Sequence, residues 1–264
     1  MVMKVTNLSS GSKGNCSLLV GQHTKVLIDV GINMKLIKSS LQSLGENLSQ
    51  INAILITHEH SDHICGLPCV AKNYPDVHIY VFAEVWREIV KKSPELNNLQ
   101  NVHLFAYDTT FSVGEFTAVA LQNFHDSVSC ASFILSQGNS RVGFCTDLGI
   151  ITDYQVEMLA KCKVVYLESN HDPEMLQNCS YPYFLKQRIG GTNGHLSNDQ
   201  CAQAALKMVQ NQTKVVVLSH ISENSNLPEM AYSHIADIFA QNNINNVHIL
   251  LSYPKRVGKT ITIL

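Results

Sequence analysis

Six consecutive positions, 58–63, carry the sequence HEHSDH, which contains three imidazoles and two carboxylates. Only 15% of the chain is charged, and so many titratable groups in one place are costly unless something neutralises them, as a bound cation would. An apolar strand is predicted immediately before them, at 53–57. We therefore interpret this stretch as a metal site at the end of a buried strand, and not as a polar surface turn.

The spacing within HEHSDH suits two cations. His58 and His60 are two residues apart, so an extended backbone points both side chains the same way. Asp62 and His63 follow at the predicted start of a helix, with Ser61 as its N-cap, and would face a second cation about 3.5–4 Å from the first. Imidazole and carboxylate ligands suit Zn, Mn or Fe. We predict two divalent ions, either Zn or Mn, with Fe as a further alternative.

Strand and helix patterns predict an α/β fold. Short apolar strands dominate the first half, whereas the last third alternates strands with helices. Two packed sheets flanked by helices, an α/β/β/α sandwich, satisfy both patterns. The predicted strands are 4–8, 16–20, 25–29, 53–57, 77–81, 102–105, 116–121, 131–135, 141–145, 163–168, 214–219 and 247–251, and the predicted helices are 33–44, 83–92, 152–160, 197–210 and 228–240.

Length and composition set the expected compartment and domain count. The chain has 264 residues, 45% of them hydrophobic, and no apolar run reaches the roughly 18 residues that span a membrane. Its first residues lack the pattern of a secretory signal, and its eight cysteines include no CxxC pair. We expect one domain over 1–264, without a membrane segment, in the cytoplasm with reduced thiols. Cys65 and Cys69 are predicted to be buried on one helix.

Four further elements extend the metal motif along the chain. In order they are Asp29 in VLIDVG, His125 in QNFHDS, Asp147 in GFCTDLG and His220 in VVVLSHIS. Together with HEHSDH, this series resembles the metallo-β-lactamase superfamily and covers the chain from the first of these residues to the last. The resemblance implies the αββα sandwich of that family.

The same resemblance implies a role for each residue of the series. It gives one cation to His58, His60 and His125, the other to Asp62, His63 and His220, and makes Asp147 the bridge between them. Asp29 would accept hydrogen bonds from the HEHSDH loop without binding a cation itself, which is support that metal sites usually need.

Two more positions resemble the proton-donating pair of ribonuclease Z-type enzymes in the superfamily. Glu168 ends a strand in VVYLESNHD, and His195 precedes a helix in NGHLSNDQ. In those enzymes the glutamate orients the histidine, which helps to protonate the leaving oxygen. Such an acid assists departure of an alkoxide by about 10²–10⁴. Asp62, Glu168 and His195 are therefore the predicted catalytic residues; the alternative is that His195 is only a helix-start cap.

Segments outside the metal motif indicate a branch of the superfamily. SSGSKGNCSLLV, HEHSDHICGL, CTDLG, LESNHD, YPYFLKQRIGGTNGHLSN and LSHISENSN resemble the YycJ/WalJ-type (VicX) metallo-hydrolases of Gram-positive bacteria. Asp147 and His195 are too close in sequence to admit the large β-CASP domain of ribonuclease J and its relatives. The resemblance implies a DNA exonuclease acting from the 5′ end, functionally linked to a cell-wall two-component system.

Groups for contacting a polyanionic substrate are few. The chain has 19 Lys and Arg residues and 21 Asp and Glu residues. This balance does not predict a broad basic face for binding nucleic acid. Lys186 and Arg188, shortly before His195, are candidates for phosphate contacts, or else form a solvated helix face. The loop SSGSKGNC either donates backbone N–H groups to a phosphate or forms a tight hairpin turn.

Three functions compete for this set of residues. The first is phosphodiester hydrolysis of DNA, with RNA as the alternative substrate, by a hydroxide held between two metals. A thioester or lactone hydrolase of glyoxalase II type would share the metal motifs, but a thiolate leaves without acid help, so Glu168 and His195 argue against it. A metal-stabilised regulatory protein without enzymatic activity is the third, and the complete ligand set argues against it.

Overall fold

The computed structural model describes residues 2–264 and contains two seven-stranded sheets. The strands of the first sheet are β1 (Met3–Ser9), β2 (Cys16–Val20), β3 (Lys25–Ile28), β4 (Ala53–Leu55), β5 (His78–Val81), β6 (Val102–Leu104) and β14 (Ile261–Ile263). Those of the second are β7 (Thr110–Val113), β8 (Phe116–Gln122), β9 (Ala131–Gln137), β10 (Ser140–Cys145), β11 (Val164–Glu168), β12 (Val215–Ser219) and β13 (His248–Leu251).

Each sheet changes from antiparallel to parallel pairing part-way across. The first has the order β14-β1-β2-β3-β4-β5-β6 and is parallel from β3 onward; the second has the order β13-β12-β11-β10-β9-β8-β7 and is parallel from β10 to β13. Because parallel strands end at the same edge of a sheet, the loops after them gather there. The metal motif follows β4, and most of its predicted partners follow other parallel strands.

Nine α-helices connect or cover the sheets within residues 2–264. They are α1 (Met34–Ser43), α2 (Ser61–Ile64), α3 (Leu67–Asn73), α4 (Ala83–Lys92), α5 (Asp153–Leu159), α6 (Pro173–Asn178), α7 (Tyr183–Ile189), α8 (Asn198–Val209) and α9 (Pro228–Gln241). A capping box of Ser197 and Gln200 begins α8, which satisfies two of the helix's free N–H groups. This cap fixes the backbone two residues after His195.

Two hydrophobic cores produce the layered architecture. The first joins both sheets with α1, α3 and α4, and the second joins the other face of the second sheet with α5, α8 and α9. Along β11, Val164 and Tyr166 belong to the first core, whereas Val165 and Leu167 belong to the second, as the alternation of side chains in a strand requires. The predicted α/β/β/α sandwich is confirmed.

Two local predictions around the metal motif are wrong. Cys65 and Cys69 do not share a helix, because Cys65 follows the end of α2 and Cys69 lies in α3, and both residues are exposed. Gly66 separates the helices and packs so closely that a Cβ there would lie 2.3 Å from the carbonyl oxygen of Ile32. Ser61 is the first residue of α2 and not its N-cap; His60 takes that position without a capping hydrogen bond.

All eight cysteines are free thiols, as the sequence predicts. Across residues 2–264, the helices are too short or too polar for any of them to cross a membrane.

Candidate metal centre

The predicted metal ligands meet at one edge of the sandwich. Asp29, Asp147 and His220 each directly follow or lie just beyond a strand, and all three adopt left-handed backbone conformations, with φ of 58°, 62° and 54°. Side chains other than glycine seldom adopt this region, and such strain concentrates at functional sites. Glycine would relieve the strain at these positions but would supply no carboxylate or imidazole.

The first candidate ligand group comprises His58, His60 and His125, whose ligand atoms lie within 4.8 Å of one another. His60 Nδ1 is 3.3 Å from His125 Nε2. His125 Nδ1 lies 3.1 Å from the carbonyl oxygen of Gly194, and donating to it leaves Nε2 with a lone pair for a cation. His58 Nδ1 lies 3.0 Å from the hydroxyl of Thr57, which leaves the Nε2 atom of this buried ring for the same cation.

The second group comprises Asp62, His63 and His220, again within 4.8 Å. Asp62 Oδ2 lies 3.4 Å from His63 Nε2 and 3.6 Å from His220 Nε2. Asp147 lies between the two groups, with its Oδ2 atom 3.3 Å from His63 Nε2 and its Oδ1 atom 4.0 Å from His125 Nε2. A carboxylate in this position has one oxygen toward each group.

Unpaired polar atoms show that these residues fit divalent cations. His58 Nε2, Asp147 Oδ2 and His220 Nε2 are buried without a hydrogen-bond partner in the described chain. Leaving such an atom unpaired costs about 1–3 kcal/mol, and all three converge on the same centre. Imidazole nitrogen and carboxylate oxygen are ligands that zinc and manganese accept. The structure therefore brings all seven predicted ligands together, while the division between two cations stays a prediction.

Asp29 lies behind the ligands and contacts only one of them. Its carboxylate accepts hydrogen bonds from the backbone N–H of Thr57 at 2.9 Å and from the hydroxyl of the same residue at 2.9 Å. It also accepts from His63 Nδ1 at 2.7 Å. A histidine that donates through Nδ1 keeps Nε2 free for a metal. Asp29 is thus placed to orient one ligand, as its predicted role requires.

Glu168 is fully buried and its carboxylate is saturated with donors. Oε1 accepts from His195 Nδ1 at 2.9 Å and from His220 Nδ1 at 2.7 Å, and Oε2 accepts from the backbone N–H groups of Leu148 and Leu196 at 3.2 and 3.1 Å. Four donors use the lone-pair positions of the carboxylate, so Glu168 acts as an orienting acceptor. The structure thus brings the predicted pair Glu168 and His195 together and adds a contact to a metal ligand that the motif did not indicate.

Comparison with known proteins agrees with this geometry. A family model described as a beta-lactamase superfamily domain matches residues 24–221. The chain belongs to the metallo-β-lactamase superfamily. It is 32% identical over 240 residues to "Exodeoxyribonuclease WalJ" of Streptococcus pneumoniae serotype 2 (strain D39 / NCTC 7466), covering 90% of this chain and 88% of the relative. It is 29% identical over 240 residues to "Exodeoxyribonuclease YycJ" of Bacillus anthracis, covering 89% and 88%.

A solved structure described as a metallo-β-lactamase fold protein has the same fold. The metallo-β-lactamase fold protein YhfI from Bacillus subtilis matches with a TM-score of 0.75 at 15% identity, over 99% of this chain and all of that one. The predictions of the superfamily, its sandwich fold and a metal-dependent hydrolase are confirmed by the family match and these relatives.

The superfamily site is supported by a loop whose role the sequence left open. Asn15, in SSGSKGNC, donates its backbone N–H to the carbonyl oxygen of Asp62 at 2.8 Å, and its amide nitrogen lies 3.0 Å from His63 Nε2. Ser10 Oγ accepts from the backbone N–H of His220 at 2.8 Å. Lys13 instead pairs at the surface with Glu223, at 2.8 Å. The loop therefore contacts three of the predicted metal ligands, and the density of Gly, Ser and Asn was the only sequence signal for it.

The two predicted phosphate-binding residues both lie on α7 and both have partners. The Arg188 guanidinium pairs with Asp126, next to the ligand His125. Lys186 Nζ donates to the carbonyl oxygen of Gln177 at 2.6 Å. Arg188 thus ties α7 to the metal centre, and Lys186 is the less constrained of the two because a lysine ammonium has three donors.

Carboxylates around the metal-free ligands hold protons on two histidines. Burial alone would lower the pKa of His220, but Asp147, Asp62 and Glu168 together raise it to about 10. Burial likewise opposes charge on His63, yet the neighbouring carboxylates raise its pKa well above the usual value. For His58 burial prevails, helped by three surrounding imidazoles, and its pKa is well below the usual value. A cation bound by these predicted ligands would therefore displace protons from His63 and His220.

We expect the metal-free protein to lose stability as the pH rises. The pKa of His220 is about 10 in the folded protein and 6.5 in an unfolded chain, so its proton stabilises the fold fully below about pH 6.5 and progressively less toward pH 10. Urea unfolding at intervals from pH 6.5 to 9.5 would measure this decline. A His220→Gln variant lacks the titrating ring and should decline less. Equal slopes for the two proteins would contradict the assignment.

Proposed function

We propose that the chain is a metal-dependent exodeoxyribonuclease that hydrolyses DNA from the 5′ end. The observation that carries this proposal is the Glu168–His195 pair beside the metal centre, since a phosphodiester needs help with its leaving oxygen. The curated relatives that match most of the chain are named exodeoxyribonucleases, which supports DNA as the substrate. The resemblance to YycJ/WalJ-type hydrolases supports the 5′ direction and a functional link to a two-component system.

The proposed metal ligands form two sets around a shared carboxylate. They are His58, His60 and His125 in one set and Asp62, His63 and His220 in the other, with Asp147 shared. Cations bound there would activate a water by lowering its pKa toward about 7 and would stabilise charge on the phosphate oxygens. Asp29 and Glu168 would hold two of the imidazoles with Nε2 toward the cations.

His195 is the proposed proton donor. Its Nδ1 atom is held by Glu168 at 2.9 Å, so the proton to be transferred is the one on Nε2. The side chain is about one-fifth exposed and stays accessible to substrate, whereas Glu168 is completely buried. A leaving alkoxide that takes this proton departs as a neutral alcohol, and the hydrogen bond from Nδ1 to Glu168 fixes the orientation of the ring. A thioester hydrolase would need no such pair.

A gel assay tests the substrate, the direction and the metal requirement together. Oligonucleotides of DNA and RNA, phosphorylated at the 5′ end and labelled at the 3′ end, would be incubated with Mn²⁺, with Zn²⁺ or with EDTA. We expect a ladder of progressively shortened DNA in metal and intact DNA in EDTA. Release of the label as a mononucleotide at the earliest times would indicate the opposite direction. Hydrolysis of S-lactoylglutathione with no cleavage of either nucleic acid would favour the thioester hydrolase instead.

A further inference from the structure

A cleft of about 660 Å³ lies between α6, α7 and the beginning of α8. Its lining includes Gly190 and Ser197, which lie on either side of His195 in the chain, and His195 donates its backbone N–H to the carbonyl oxygen of Ile189, in α7, at 2.8 Å. With the Arg188–Asp126 pair, this bond joins α7 to the metal centre. The cleft therefore adjoins the backbone near the proposed proton donor, and neither His195 nor any predicted metal ligand lines it.

One wall of the cleft is an exposed aromatic ring. Tyr183 and Phe184 are 72% and 71% exposed, the highest values for any Tyr or Phe in the described chain, and no residue of α7 is buried. Tyr183 lines the cleft, and Gln187, one turn further along α7, donates to its hydroxyl at 2.8 Å. Phe184 is not part of the lining. A ring held in place at the edge of a cleft, yet left in water, is suited to stack on a planar ligand.

The remaining walls of the cleft include an ammonium group and a buried imidazole. His171 lines the cleft, is only 4% exposed, and its Nδ1 atom has no hydrogen-bond partner among residues 2–264. Lys186 also lines the cleft. Helix α7 carries two basic residues and no acidic one, in a chain whose net charge is −2. An aromatic surface with a neighbouring ammonium is the combination that single-stranded nucleic acid requires.

We propose that this cleft binds one nucleotide of the DNA strand next to the bond that is cleaved. The inference rests on the proposed nuclease function and locates part of its substrate site. The base would stack on Tyr183, and the ammonium of Lys186 would face a phosphate. A second copy of the chain fits the same surface less well, because a twofold contact through α7 would bring its own positive charges together.

Binding of a hydrolysis-resistant oligonucleotide tests the proposal on the metal-loaded protein. A fluorescent single-stranded DNA with phosphorothioate linkages would be titrated with wild-type protein and with Tyr183→Ala, and anisotropy would give each Kd. Loss of one stacked base should raise the Kd about 5- to 150-fold. Tyr183→Phe keeps the ring and should bind nearly as wild type. Phe184→Ala is the matched control, since that ring is equally exposed but lies outside the cleft, and should also bind as wild type.

Abasic substitutions identify the nucleotide that occupies the cleft. In a series of oligonucleotides with one base removed at successive positions, wild-type protein should lose affinity at one position near the cleaved end. Tyr183→Ala should bind with the same affinity whether or not the base at that position is present, because the stacking partner is already absent. If removing a base lowers the affinity of neither protein at any position, the proposal is overturned. Equal Kd values for wild type and Tyr183→Ala would also overturn it.

Two further outcomes separate this inference from its alternatives. Binding that depends on Tyr183, in a protein that cleaves no DNA, would support the cleft and refute the nuclease. DNA cleavage and binding that are both unaffected by Tyr183→Ala would leave the nuclease standing and refute the cleft. Sedimentation velocity of the free proteins tests the other occupant: if both Tyr183→Ala and Phe184→Ala convert a dimer into monomers, α7 is an interface between copies and the proposal is overturned.

Discussion

Replacing His63 with alanine is expected to remove bound metal and phosphodiester hydrolysis together. His63 Nε2 lies within 3.4 Å of both Asp62 and Asp147, so its loss takes a ligand from the point where the two candidate groups meet. Its Nδ1 atom also pairs with Asp29, which is only 3% exposed. Removing one partner of a buried ion pair costs about 3–5 kcal/mol. The variant should therefore also unfold at a lower temperature.

Metal analysis by mass spectrometry after desalting, beside a DNA cleavage assay, measures both effects. Circular dichroism would establish that the variant is folded under the assay conditions. His171→Ala is the matched control for metal content, since it removes an equally buried imidazole that belongs to neither ligand group. We expect that control to keep its metals. A folded His63→Ala protein with the same metal content as wild type would contradict the ligand assignment.

Replacing His195 with alanine should instead leave the metal content intact and lower the rate of DNA cleavage by about 10²–10⁴, the range for a lost general acid. The ring is outside both proposed ligand sets, although its ligand atom lies within 4.8 Å of those of Asp147, Glu168 and His220. Glu168 keeps its contacts to His220 and to two backbone N–H groups when the ring is removed. A nitrophenyl phosphodiester has a leaving group that departs without a proton, so its hydrolysis should be largely retained. A variant that loses activity on DNA but keeps it on the ester would show that His195 donates a proton and does not bind metal.

An unchanged rate on DNA would show that another group protonates the leaving oxygen. His171, three residues after Glu168, is the nearest alternative in the sequence. Burial lowers the pKa of His171 to about 4, so this ring is neutral near pH 7 and holds no proton of suitable acidity to donate. The structure therefore favours His195 for proton transfer.

Much of the site was predictable because its residues follow strands with strong apolar patterns. VVYLE, VVVLS and the segment before HEHSDH are buried on both faces, and such strands show in a sequence as continuous runs of Val, Ile and Leu. The polar residue that ends each run is then conspicuous. Asp29, Glu168 and His220 all stood out for this reason, and the structure places all three at one edge.

Contacts between distant segments were the part that could not be predicted. The Glu168–His220 hydrogen bond joins residues 52 positions apart, and no periodicity indicates which imidazole a buried carboxylate will meet. Asn15 was missed for the same reason, since its contacts with Asp62 and His63 depend on how a loop packs. Strands β7 and β14 were not predicted, because each buries only its last residue and so lacks the apolar run that marks a central strand. The break between α2 and α3 at Gly66 results from close packing against Ile32, which helix propensities do not indicate.

The origin of the ligands on two sheets bears on when the protein acquires its cations. His58, His60, Asp62 and His63 follow β4 of the first sheet, whereas His125, Asp147 and His220 follow strands of the second. As the chain emerges from the ribosome, the HEHSDH segment is complete long before the last imidazole has been synthesised. Neither candidate ligand set is complete until the second sheet has packed against the first. A chain that has not yet formed the second sheet therefore lacks a complete candidate metal centre, because each predicted ligand set needs a residue from that sheet.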